Sequence, residues 1–182
     1  MNPMMMNINP MNVMNGNMNN INQTIKKEIT VYVKLENNDI INVKCFEDDM
    51  ASILQDKCHI TKNLSCDYKI IFPFKTIKEN GITDNSVVNI ASSKVMNVNF
   101  KTTQGTHFSL VLDGNCPVGM LIILFFINNK KKGLLTKLFT DEIRLSFNAT
   151  ILRIDNRTSI KKYFISPNPT IMVNDTTNLW GR

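Results

Sequence analysis

The chain is poor in the residues that reaction chemistry needs in company. Its 182 residues include two histidines and four cysteines, and neither a Cys-x-x-Cys pair nor a glycine-rich phosphate loop occurs. Scattered cysteines argue against a disulfide framework and for a reducing, intracellular and cytoplasmic setting. Cys58-His59 with Cys66 and Cys45 could supply the atoms of a zinc site, but not the close ligand pairs on which a tetrahedral site draws, so no metal is expected. His107 stands between Thr106 and Phe108 without an acid and a nucleophile recurring nearby, and it reads as a solvated surface residue. No catalytic residue, cofactor or small-molecule substrate is expected, and the chain does not read as an enzyme.

Long apolar runs are missing too. The longest, Val118 to Ile127 within CPVGMLIILFFINNKKK, stops after ten residues, whereas a bilayer is crossed by about 20. No membrane span is expected. The N-terminus lacks the charged region, apolar region and cleavage site of a secretory signal. Residues 1–24 carry neither a charged nor an aromatic side chain and consist mainly of Met and Asn, so 1–26 is expected to be a disordered tail.

The full chain is 43% hydrophobic, enough apolar content for packed cores. The formal charge of +6 comes from 21 Lys and Arg against 15 Asp and Glu, an excess spread over both halves. Lys130, Lys131 and Lys132 with Lys161 and Lys162 could meet phosphates, yet the aromatics that single-strand readers interleave with such charges cluster in the apolar run instead. Nucleic acid is therefore not the expected partner. Asp48-Asp49 and Asp141-Glu142 read as caps at element starts.

Periodicity supplies the order of elements. Ile29, Val31 and Val33 alternate with Thr30, Tyr32 and Lys34, a polar turn follows, and Ile41, Val43 and Cys45 complete a hairpin with one buried face. Met50, Ile53, Leu54 and Cys58 recur at helical spacing, with Ala51, Ser52, Gln55 and Asp56 expected toward water. A strand over 68–72 broken by Pro73, and another around Val87, Val88 and Ile90, close the unit. After Ser92-Ser93-Lys94 the order repeats: a hairpin over 98–112, a helix from Pro117, a strand over 143–147, a tight turn at Asn148-Ala149, a helical turn over 159–164 and a strand over 170–173.

This order resembles the ubiquitin-like β-grasp family, twice. MNVNFKTTQGTHFSLVLD at 96–113 resembles the family's first hairpin, with Lys101, Thr102 and the turn glycine Gly105, and DYKIIFPFKTIKENGI at 67–82 resembles its third strand and following loop, shortened after Lys75. The resemblance implies an α+β protein of two tandem ubiquitin-like β-grasp domains, each a mixed sheet with one packed helix. Their bounds are 27–93 and 95–175, between the N-terminal tail and a C-terminal tail, 176–182. The family's conjugated modifiers end in a flexible diglycine tail, and Asn178-Leu179-Trp180-Gly181-Arg182 departs from it, so a conjugated modifier is not expected. The family's apolar binding patch falls on Glu36, Ile71 and Ala91 in the first copy and on Thr103, Ser146 and Asn174 in the second, which leaves Ile71 as its one apolar centre.

The apolar run carries the main functional expectation. Val118, Leu121, Ile122 and Phe125 share one helical face and would pack on the sheet. Met120, Ile123, Leu124 and Ile127 would then face outward, where the first copy is polar. Something must cover a helix that is apolar all round: the first copy, the segment 134–139, or another protein. Burying four such side chains is worth about 1.5 to 3 kcal/mol each. The expected function is that of a non-catalytic structural or scaffolding protein, an accessory subunit of a larger assembly, cytoskeletal and mitochondrial ones included, bound through Met120, Ile123, Leu124 and Ile127. The alternative is a soluble adaptor making transient contacts through Ile71 in the first domain.

Overall fold

The computed structural model describes residues 26–102, 105, 107–128 and 143–175. The expected N-terminal tail up to Ile25, the segment 134–139, Lys130 to Lys132, Asp141-Glu142, Thr103 and the C-terminal tail lie outside them.

Alternation builds the first half. In β1 (Glu28–Lys34) Ile29, Val31 and Val33 are buried, and the strand pairs antiparallel with β2 (Ile40–Phe46). Helix α1 (Ser52–Cys58) crosses the hairpin and ends at His59, whose left-handed backbone (φ 54°) turns the chain out of the helix. Two short strands follow, β3 (Leu64–Cys66) and β4 (Lys69–Ile70), joined by Asp67 and Tyr68, both at positive φ. That is the backbone of a two-residue hairpin turn whose twist matches its strands. After a loop, β5 (Val87–Ile90) returns parallel to β1.

The second half repeats the plan: the hairpin β6 (Val95–Thr102) and β7 (His107–Asp113), helix α2 (Met120–Asn128), β8 (Ile143–Phe147), β9 (Thr150–Ile151), the short helix α3 (Ile160–Tyr163), and β10 (Thr170–Asp175) parallel to β6. Asn148 and Ala149 form the same positive-φ pair between β8 and β9. Two separate apolar clusters result. One is built on Val31, Val33, Leu54, Ile77 and Val88, the other on Val98, Phe100, Leu121, Phe125 and Ile171.

The halves do not simply follow one another. Lys69 of β4 pairs with Leu112 of β7, so the described strands form one ten-stranded sheet in the order β2-β1-β5-β3-β4-β7-β6-β10-β8-β9. Within each half the order is the same, and the joint lies between the last strand of one and the first of the other.

Two local expectations are corrected. Met50 is exposed and Ala51 buried, the reverse of the expected helical reading, because the helix begins only at Ser52 and both residues precede it. Met50 forms a bridge with Thr76, and the Ala51 N–H donates to the Lys75 carbonyl at 2.9 Å. Asp49 caps no helix either. Its carboxylate accepts the Phe46 N–H at 2.8 Å, while α1 begins without a side-chain cap.

Candidate protein-interaction site

Helix α2 is the most apolar element, and packing accounts for most of that. Val118, Leu121, Ile122 and Phe125 are buried, as their spacing predicts. Under them Phe100 stacks on Phe108 with centroids 4.9 Å apart, Phe125 lies 5.7 Å from each, and Phe126 meets Phe125 edge-on at 5.3 Å.

The outward face is narrower than the sequence suggests. Leu124 is 2% exposed, which corrects its assignment to the outer surface, and Phe126 is buried as well. The equivalent place in α1 is polar. Both helices follow their hairpins at the same interval, so Leu54 answers to Leu121, Cys58 to Phe125 and Lys57 to Leu124. Lys57 lies along the outer edge of the first hairpin and donates to the Lys44 carbonyl of β2 at 2.5 Å. At the corresponding edge of the second hairpin β4 is docked, and Leu124 is part of the second apolar cluster. The stripe left outward is Met120 and Ile123, half-buried, and Ile127, 57% exposed.

Ile71 is no surface residue. It is 5% exposed, its N–H donates to the Leu64 carbonyl at 2.9 Å, and it belongs to the first apolar cluster. The two-residue turn fixes its parity: with Cys66 opposite Lys69 and Ser65 opposite Ile70, Leu64 and Ile71 fall together on the core face. Ala91 is buried too, and Glu36 is exposed in an ion pair with Lys62. The patch that the resemblance implies for the first half is therefore not assembled. In the second half Asn174 donates to the Ser146 hydroxyl at 3.2 Å.

An aromatic pair that the sequence reading does not single out follows Ile71, with Phe72 half-buried and Phe74 exposed. Phe74 is 71% exposed, with its ring 5.7 Å from that of Phe72, over which the Lys75 ammonium sits at 5.0 Å. The sequence signal is Pro73, which ends strand alternation between the two rings. Asn80 anchors this loop: its side chain accepts the Phe72 N–H at 2.8 Å and donates to the carbonyls of Phe72 and Thr76 at 3.0 and 2.9 Å.

The joint is held by more than its single strand pair. The Asp113 N–H donates to the Tyr68 carbonyl at 2.8 Å, and the buried Asp113 carboxylate accepts the N–H groups of Ser92 at 3.0 Å and Asn115 at 2.8 Å. One residue thus ties β7 to the turn before β4 and to the connection between the halves, while Tyr68 packs against the second cluster.

All four cysteines are free, and burial pushes each thiol above its ordinary value, Cys116 up to about 12 with Asp113 adding to the effect. No three metal-ligating side chains converge among the described residues, and His107 is exposed. No helix among the described residues is long and apolar enough to cross a membrane. Of the surface clefts, one of about 500 Å³ lies over Glu36, Thr61 to Asn63 and Ala91 to Ser93, and an apolar one of about 560 Å³ lies beside β9, lined by Phe147, Thr150, Tyr163 and Ile165.

The architecture is decided by the central parallel pair of each half, β1 with β5 and β6 with β10, flanked by an antiparallel hairpin and crossed by one helix. The fold is ubiquitin-like. No protein-family model matches the chain, and no curated protein does. Among solved structures it is similar to the UBL domain of yeast Ddi1 (13% identity, TM-score 0.37, covering 46% of this chain and 92% of that one). It is also similar to the ubiquitin of Caldiarchaeum subterraneum (13%, 0.35, 44% and 92%) and to the UBL domain of Plasmodium falciparum Dsk2 (22%, 0.34, 44% and 97%).

Proposed function

We propose that the chain is a non-catalytic structural protein of two ubiquitin-like domains, 27–93 and 95–175, and that it serves as an accessory subunit of a larger protein assembly. The observation that carries this reading is the α2 stripe. Ile127 is exposed at the end of a helix that has no polar side chain from Val118 to Ile127, with Met120 and Ile123 half-buried beside it. A partner that covers this stripe removes apolar surface from water at about 25 cal/mol per Å². The joint supports a scaffolding role, because it holds the two domains in one sheet and so gives a partner a fixed shape. A soluble adaptor is the second reading, with its contact moved from Ile71 to the exposed Phe74 and its neighbour Phe72.

The test is the native size of the protein in a gentle lysate of its source cells, read by sedimentation. Migration far above 20.8 kDa that is lost in Ile123→Asp and Ile127→Asp variants is expected. A protein that travels alone and is indifferent to both substitutions overturns the subunit reading. Loss of a partner on Phe74→Ala then favours the adaptor.

A further inference from the structure

The joint between β4 and β7 is a contact between unlike surfaces, and the two ends of the sheet are its counterparts. At one end lies β9, which corresponds to β4: each follows a two-residue positive-φ turn and pairs back on the preceding strand. At the other end lies β2, which corresponds to β7. Unlike surfaces that recur at opposite ends of a molecule build open chains when copies meet. A β9 edge set against the β2 edge of a second copy would repeat the joint already formed within the chain.

The β2 edge differs from the β7 edge at the groups that would be needed. In the second hairpin Leu112 lies opposite Met96 and in the first Cys45 lies opposite Ile29, so Asp113 answers to Phe46 and Val111 to Lys44. The Asp113 N–H is open to the Tyr68 carbonyl. The Phe46 N–H is taken by the Asp49 carboxylate at 2.8 Å, and the Lys44 carbonyl by the Lys57 ammonium at 2.5 Å. At the places of Asp49 and Lys57 the second half has Cys116 and Leu124, which offer the backbone neither a carboxylate nor an ammonium. Among the described residues no side chain plugs the β9 edge in that way. Ile151 is 52% exposed beside the apolar cleft over Phe147, Tyr163 and Ile165.

We propose that Asp49 and Lys57 plug the β2 edge against strand addition by the β9 edge of a second copy of this chain, and so limit the chain to the one internal joint. Side chains that occupy edge N–H and C=O groups remove the template on which a further strand pairs. The proposal is independent of the α2 stripe.

The experiment compares the full chain with an Asp49→Ala/Lys57→Leu variant, and with the same variant carrying Ile151→Pro, by sedimentation over a range of concentrations in reducing buffer. The plugged protein should show no association sensitive to Ile151→Pro. The unplugged variant should associate about tenfold more tightly per freed edge group, and its mass should keep rising with concentration instead of stopping at a dimer. Ile151→Pro, which removes an edge donor at β9, should abolish the gain. A folded variant that sediments like the parent overturns the proposal, as does a gain that survives Ile151→Pro. Lys57→Ala changes one exposed side chain and frees the Lys44 carbonyl alone. If the double variant does not fold, the absence of any Ile151-dependent association in Lys57→Ala overturns the proposal in its place.

Discussion

The first and second hairpins have the same geometry and opposite fates. Both carry three inward residues on the leading strand, Ile29, Val31 and Val33 in one and Met96, Val98 and Phe100 in the other, and both are crossed by a helix at the same interval. One ends the sheet and the other continues it. Two side chains separate them: Asp49 and Lys57 occupy edge groups of β2, whereas Cys116 and Leu124 stand at the matching places beside β7. The proposed plug makes the difference between an edge and an interior strand a property of side chains in the loop and helix that follow the hairpin.

The comparison breaks most visibly in the cores. Leu54→Ala and Leu121→Ala, at equivalent buried places in separate clusters, should each cost about 2 to 5 kcal/mol. Because the two clusters are separate, each variant should lower the unfolding transition of its own half most, followed by amide resonances during heating. Equal loss in both halves from either change would mean that they share one cooperative unit.

A smaller effect sharpens the contrast at the helix starts. A β-carbon on Gly119 would meet the Ile154 carbonyl oxygen at 2.1 Å, so Gly119→Ala should cost about 1 to 3 kcal/mol by forcing the backbone apart. Ser52 holds the equivalent place in the first half, and Ser52→Ala should leave the melting temperature nearly unchanged. At the joint, Asp113→Ala strips the N–H groups of Ser92 and Asn115 of their acceptor and should cost on the order of 1 to 3 kcal/mol. It should also raise hydrogen exchange at the connection between the halves more than in either core.

The smallest effect belongs to the Lys27–Glu47 pair, 2.8 Å apart at the open end of the first hairpin. Its hydrogen bond to Lys27 holds the Glu47 carboxyl below the ordinary 4.5, and its bond to Glu47 holds the Lys27 amine above 10.5. The Glu47 contribution is complete above pH 4.5 and fades as pH falls through the lowered value. The Lys27 contribution is complete below pH 10.5 and fades as pH rises through the raised one. Glu47→Gln should slightly flatten the acid limb of a stability profile and leave the neutral plateau level, for the pair is exposed.

Much of this was legible in the sequence, because alternation reports which face of a strand is buried. Both hairpins and the closing strands follow from residue spacing, and the inward face of α2 from spacing together with the resemblance to the β-grasp order. The three-residue β3 did not, since Leu64-Ser65-Cys66 is too short to show a period, and without it the parity of Ile71 could not be fixed. Leu124 departs from its expected place because helical spacing puts a residue on one side of its own helix and does not show what else packs there. A signal for the joint was present in Cys116 and Leu124 standing where the first half has Asp49 and Lys57. It becomes readable only once the Asp49 and Lys57 side chains are seen on backbone groups of β2.

The central claim, that β4 docks on an open β7 edge while β2 is plugged, is tested most directly by the hydrogen-exchange rate of the Asp113 amide in the full chain. The account predicts protection close to that of Leu112 and other paired amides of the second hairpin, because the Asp113 N–H is bonded to the Tyr68 carbonyl across the joint. Exchange as fast as that of Ser109, on the same edge beyond the reach of β4, would contradict it.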